Sequence, residues 1–193
     1  TPDLLIATDP DGDRIGIAAL CQEDGNRDYK LITGNEVGVL LLDFLCQERK
    51  RPQNPIAIKT IVTSNMVKDV CIEYGLEMRE VLTGFKYIGE IIGKLEDIGE
   101  ESRFFFGFEE SYGYLSGSYV RDKDGVDGAM LVCQMASYYK AQNLTLCDRL
   151  THLYKKYGYY VDKVSEFYFE GAAGMDTMAK IMNALRNNAP SHL

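Results

Sequence analysis

The sequence predicts an α/β fold, a largely parallel sheet with helices on its faces. Three observations predict it. Short β-branched runs alternate with segments of helical apolar spacing. Polar, turn-forming loops follow the strand-like runs. A length of 193 residues, 46% of them hydrophobic, suits one ordinary domain or one domain with pieces of its neighbours.

The elements follow in order. Leu4–Thr8 is an apolar run that reads as a buried strand, broken by the acidic turn Asp9-Pro10-Asp11-Gly12-Asp13. Residues 15–20 and 29–33 read as further strands joined by a turn at 24–26. Residues 35–50 carry apolar side chains at helical spacing, stopped by Arg51-Pro52. A βα rhythm then repeats: strand 56–63 and helix 65–74, strand 77–82 and helix 85–95, strand 104–108 and a long helix 125–141. Helical crossovers of this kind join parallel strands. Another helix covers 146–157. The tail reads as a strand at 165–170 and an amphipathic helix at 175–185, a pair too small to bury itself and so expected to open another domain.

Composition narrows the function. With 21 basic and 29 acidic residues the net charge is −8, which argues against nucleic-acid binding, where clustered cations must displace counterions. A few local cations still suffice for one phosphorylated metabolite. No apolar run approaches the roughly 20 residues that span a bilayer, and no signal peptide is visible. The five cysteines are dispersed without a C-x-x-C pair, so they read as reduced core thiols of a cytoplasmic protein. His152 and His192 offer no catalytic pattern; surface or packing roles are expected.

Three loops carry chemistry. In Asp9-Pro10-Asp11-Gly12-Asp13-Arg14, three alternating carboxylates are suited to a hard divalent cation such as Mg²⁺. A straight strand would spread their Cα atoms by roughly 13 Å, so the segment must curl, which Pro10 and Gly12 favour. An EF-hand is excluded because Arg14 stands where that loop needs glycine and Leu20 where it needs glutamate. The alternative is a solvated acidic turn. Second, Ser64, Thr83-Gly84 and Glu109-Glu110-Ser111 each follow a strand, where open α/β sheets collect ligands. Taken singly, Thr63 or Ser64 could equally be a helix N-cap, and Glu109-Glu110 an exposed turn. Third, Arg121-Asp122-Lys123-Asp124-Gly125 precedes the long helix. Its cations oppose the helix dipole, and either the two aspartates compensate them or they hold a phosphate. That positive field would disfavour protonated Lys123 and make it a better base.

Together, in this order, these motifs resemble the α-D-phosphohexomutase superfamily, in its phosphoglucomutase branch. The resemblance implies a three-layer α/β/α sandwich with a mixed, largely parallel sheet, plus partial flanking domains. It implies boundaries at 1–22 (end of domain 2, with the metal loop), 23–158 (domain 3, sugar-binding) and 159–193 (truncated start of domain 4). Asp9, Asp11 and Asp13 would hold Mg²⁺, with Arg14 beside the phosphate. Thr83 and Gly84 would contact substrate, and Glu109 and Ser111 would grip sugar hydroxyls. Arg121 and Lys123 would bind substrate phosphate, Lys123 also being a candidate general acid/base. The implied reaction interconverts glucose 1-phosphate and glucose 6-phosphate through a phosphoserine and glucose 1,6-bisphosphate. Phe108 stands where many members have glycine, which leaves the sugar open, with phosphopentomutase as the alternative; outside catalysis, the alternative is a metal-stabilised binding module. The family's phosphoserine loop and the phosphate-gripping loop of domain 4 have no counterpart here, Ser191-His192 lacking the surrounding motif. The chain is therefore expected to be part of a longer enzyme, inactive alone, whose other partners are its own missing domains 1 and 4.

Overall fold

The computed structural model describes residues 1–23, 25–163 and 165–188, arranged as two units, Thr1–Asp162 and Lys163–Leu193. Ser191 and His192 lie outside the described residues.

The first unit opens with an antiparallel meander of β1 (Leu4–Thr8), β2 (Ile15–Glu23) and β3 (Asn26–Ile32). Strand β1 differs from the sequence expectation of a buried strand. It lies at the edge of its sheet, and Leu5 is 46% exposed. Alternation explains this, because successive side chains of a strand point to opposite faces and only one face here meets the core.

Helix α1 (Gly34–Glu48) follows, capped by Thr33 and Glu36 in a reciprocal capping box. Then come β4 (Ile56–Thr60), α2 (Met66–Tyr74), β5 (Glu77–Val81), α3 (Phe85–Glu96), β6 (Phe104–Glu109), β7 (Gly113–Leu115), α4 (Gly125–Ala141) and α5 (Leu146–Tyr157). The second sheet has strand order β5-β4-β6-β7. β5, β4 and β6 run parallel, and β7 turns back antiparallel through a short hairpin. The expected mixed, largely parallel sheet flanked by helices is present.

Two apolar layers cover this sheet. Ala57, Phe106 and Phe108 pack in one core cluster with residues of α1, α2, α4 and α5, while Ile56, Ile58 and Phe104 pack in another with Phe85, Ile88, Ile92 and Leu95 of α3. The run Phe104-Phe105-Phe106 fits both layers through a register shift: Ile56 pairs with Phe104, and Ala57 with Phe106. The extra residue, Phe105, makes a β-bulge and lets consecutive phenylalanines be buried.

Two further expectations are corrected. Cys21 and Cys147 form a disulfide, their Cα atoms 5.8 Å apart, although the dispersed sequence positions had suggested reduced thiols. A separation of 126 residues hides their approach, which arises only when α5 packs on β2. Cys46 and Cys71 are buried and free, and Cys133 is exposed. In the second unit, residues 165–170 form no strand, because no neighbouring strand among the described residues pairs with them. Helix α6 (Gly171–Asn187) has no buried residue, and Met175, Met178, Ile181, Met182 and Leu185 of its apolar stripe stay exposed.

Candidate functional site

The site forms at the carboxyl ends of the parallel strands, where three helices begin. Each start is pressed against a loop. A Cβ on Gly34, the first residue of α1, would lie 2.0 Å from the Glu110 carbonyl oxygen. A Cβ on Gly125, opening α4, would lie 2.3 Å from the carbonyl oxygen of Gly12. Before α3, Gly84 takes φ 115°, a backbone conformation that L side chains rarely adopt, and its N–H donates to Oε1 of Glu109 at 2.8 Å. Helix N-termini carry partial positive charge, and each of these three is met by a carboxylate of the chain, Glu36 at α1, Glu109 at α3 and Asp124 at α4.

The acidic turn curls as its composition requires. Gly12 adopts φ 73°, and its N–H donates to the Asp9 carbonyl at 3.1 Å. The amide of Arg14 donates to Oδ1 of Asp9 at 3.2 Å. One carboxylate oxygen from each of Asp9, Asp11 and Asp13 lies within 4.8 Å of the others. Burial pulls the Asp9 carboxyl upward, but the Arg14 amide and the charge of Arg14 outweigh it and hold it below the usual carboxylate range. Oδ1 of Asp13 is buried and has no hydrogen-bond partner. An orphaned carboxylate oxygen beside two other carboxylates is costly unless a cation completes it. The donor set, all oxygen, fits a hard divalent ion.

Lys123 joins this turn to the α3 side. Its ammonium lies 2.9 Å from Oδ2 of Asp13, 2.8 Å from Oδ1 of Asp122, and 5.6 Å from the centre of the Phe85 ring. Gly113 makes room, since a Cβ there would fall 2.2 Å from Cδ of Lys123. Burial disfavours the charged lysine, but the Asp122 and Asp13 carboxylates outweigh it and raise its pKa. This reverses the sequence expectation of a better base. The carboxylates of adjacent Asp122 and of Asp13 determine the local field, so Lys123 is a held cation.

The hairpin turn between β6 and β7 carries Glu110, Ser111 and Tyr112. Glu109, at its base, is 6% exposed and engages Gly84. Oε2 of Glu110 accepts from Thr60 Oγ1 at 3.2 Å, and Thr60 and Thr63 share a 2.7 Å hydroxyl contact. Ser111 is half-buried in the turn. Tyr112 takes φ 69°, a left-handed conformation costing a non-glycine residue about 1–2 kcal/mol.

The structure thus brings Asp9, Asp11, Asp13, Lys123, Gly84 and Glu109 into one run of contacts. Arg14 and Thr83 lie alongside with exposed side chains. Arg121 is not brought in. Its guanidinium pairs with Glu96 at the far end of α3 and donates to the Ser118 carbonyl at 2.6 Å, because its main chain is seated against Gly89 in mid-helix. Thr63 and Ser64 are no N-caps either: Asn65 precedes α2 without a side-chain cap, and the Ser64 amide donates to Asn35 Oδ1 at 2.9 Å. His152 is exposed on α5.

Sequence reasoning passed over Phe85, Gly113 and Lys59. Lys59 is fully buried in β4, its ammonium 2.6 Å from Glu80 and bonded to the Thr60 and Thr63 carbonyls. A lysine inside a β-branched strand run was the available signal.

Residues 33–157 match the family described as phosphoglucomutase/phosphomannomutase, alpha/beta/alpha domain III. The chain belongs to this family. It is 39% identical over 191 residues to a phosphoglucomutase of Staphylococcus aureus (strain bovine RF122 / ET3-1), a match covering 99% of this chain and 34% of that protein. The chain therefore spans about a third of the length of the curated relatives it matches. Among solved structures, it resembles parafusin (phosphoglucomutase) from Paramecium in an open form, with TM-score 0.61 and 20% identity over 97% of this chain and 30% of that one. It also resembles an N-acetylglucosamine-phosphate mutase of the α-D-phosphohexomutase superfamily in its apo-form, with TM-score 0.54 and 18% identity over 82% of this chain and 39% of that one. These two likenesses establish the shared fold. No described helix is long and apolar enough to cross a membrane.

Proposed function

We propose that this chain supplies the metal turn and the sugar-gripping loops of a phosphoglucomutase that interconverts glucose 1-phosphate and glucose 6-phosphate. The observation carrying the proposal is the orphaned Asp13 Oδ1 within a triad of carboxylates, joined through Lys123 to the sugar-loop side. The 39% identity to a phosphoglucomutase favours a hexose over the pentose alternative. Residues 1–22 are assigned to the end of domain 2, 23–158 to domain 3 and 159–193 to the start of domain 4.

Asp9, Asp11 and Asp13 would hold Mg²⁺, which when bound neutralises charge on a phosphoryl group. Arg14, exposed beside the turn, adds a bidentate cation for phosphate. Glu109 and Ser111 present oxygens to sugar hydroxyls, and the fixed Gly84 amide sets the orientation of Glu109. Lys123 holds its proton in the resting site, so it clamps phosphate or gives the proton to a leaving oxygen. Phosphoryl transfer needs mainly positioning and neutralised charge, which these groups are built to provide. The nucleophilic serine and the glucose 1,6-bisphosphate exchange belong to the whole enzyme, and the isolated chain is expected to show no turnover.

The test uses the full-length protein with glucose 1-phosphate and, separately, ribose 1-phosphate. Glucose 1-phosphate is expected to be the better substrate, and Asp11→Asn is expected to lower turnover roughly 100-fold or more with folding intact. Unfolding of that variant without a separate loss of turnover would instead support a structural ion in a binding module.

A further inference from the structure

The turn that carries Glu110 and Ser111 is also held from inside the sheet. Strand β4, the neighbour of β6, ends at Thr60. The chain then bends sharply, the N–H of Thr63 donating to the Thr60 carbonyl at 3.1 Å. The fully buried ammonium of Lys59 clamps this bend, donating to the carbonyls of Thr60 at 3.2 Å and Thr63 at 3.1 Å. Glu80 of β5, 2.6 Å away, compensates its charge, as a buried cation requires. Thr60 and Thr63 are 0% and 3% exposed, and their hydroxyls meet at 2.7 Å.

The order of donation follows from the groups themselves. A carboxylate only accepts, so the Thr60 hydroxyl gives its one proton to Oε2 of Glu110 at 3.2 Å and accepts that of Thr63. The buried end of β4 thus presents one aimed donor to the turn. Glu110 lies between Glu109 and Ser111. Glu109 is held by the Gly84 amide at 2.8 Å, and the Glu110 carbonyl rests against Gly34 at the start of α1. The bond from Thr60 fixes the Glu110 side chain, which those two contacts do not reach.

Resting on the proposed function, we infer that Thr60 is a positioning residue, which through Glu110 holds the turn where Glu109 and Ser111 meet the sugar. Removing its hydroxyl leaves the Glu110 carboxylate without this donor and loosens the turn. A misplacement of about 1 Å is enough to weaken a site of this kind. The turn grips the sugar before and during transfer alike, so the loss falls on KM and not on kcat.

The test measures kcat, KM for glucose 1-phosphate and melting temperature of the full-length protein as wild type, Thr60→Val, Thr60→Ser and Thr63→Val. Thr60→Val keeps the shape and loses the donor. Its KM is expected to rise roughly tenfold, with kcat within about threefold of the wild type. Thr60→Ser restores the hydroxyl and is expected to keep the wild-type KM. Thr63→Val removes the other hydroxyl but leaves the bond to Glu110, so it is expected to lower the melting temperature alone. An unchanged KM in Thr60→Val, or an equal rise in Thr63→Val, would overturn the inference and leave the proposed function standing. Should Thr60→Val unfold, Thr60→Cys, whose thiol is a weak donor, replaces it with the same two outcomes. Unfolding of both would reduce Thr60 to a structural role and overturn the inference. A wild type that does not turn over glucose 1-phosphate would overturn the proposed function and the inference with it.

Discussion

The ammonium of Lys123 sits 2.9 Å from Oδ2 of Asp13, while Oδ1 of the same carboxylate is buried without a partner. One carboxylate thus presents one oxygen to a fixed cation and leaves the other without a partner. Lys123→Met removes a positive charge beside the proposed metal. Coulombic repulsion of about 1 kcal/mol then disappears, and Mn²⁺ is expected to bind roughly fivefold tighter. Affinity for the sugar phosphate is expected to fall at the same time. Calorimetry with each ligand checks both signs, and a parallel loss of both affinities would contradict the separation of roles.

Helix α4 starts at the site and depends on its cap. Asp124 accepts from the amides of Asp127 and Val126 and from the Tyr119 hydroxyl. The Asp127 amide and the Tyr119 hydroxyl hold its carboxyl below the usual 3.8. A carboxyl lowered by folding adds stability above its unfolded pKa and loses it as the pH falls through the folded value. Asp124→Ala is expected to cost about 1 kcal/mol near neutral pH. In denaturant titrations the gap between variant and wild type should close as the pH drops well below 3.8.

The core behind the site is anchored by Asp43. This residue is fully buried and is held by a forked pair with Arg149, at 2.7 to 2.9 Å, and by the hydroxyls of Tyr139 and Tyr74. Removing one partner of a buried pair strands the other, at a cost of about 3–5 kcal/mol. Asp43→Ala is therefore expected to lower the melting temperature by roughly 10 °C. A shift of one or two degrees would show that the pair contributes little.

Thiol counting tests the link between β2 and α5. Burial pushes Cys46 and Cys71 up to about 12, while Cys133 is exposed. At pH 8 in the folded chain only Cys133 is expected to react with a thiol reagent. Unfolding without reductant should expose the three free cysteines, and reduction should raise the number to the full five. All five reacting without reductant would contradict the disulfide.

The sequence showed the alternation of strands and helices because each element has its own periodicity and its own stop. Gly75 after α2 and Gly158 after α5 are such stops, and both take positive φ. The acidic turn was equally legible, since three aspartates around Pro10 and Gly12 carry their geometry locally. Properties set by distant neighbours were not legible. The charge state of Lys123 depends on adjacent Asp122, which the sequence displays, and on Asp13, 110 positions away, which no local pattern displays. Arg121 looked like a partner of Lys123, yet Gly89 seats its backbone so that the side chain reaches Glu96. The bulge at Phe105 required a strand register, and the disulfide required the packing of α5.

A Mn²⁺-soaked crystal of the full-length protein, read by anomalous scattering, tests the metal turn most directly. A single strong peak touching the carboxylates of Asp9, Asp11 and Asp13 is the predicted result. No peak there, with the three side chains turned to solvent, would contradict it.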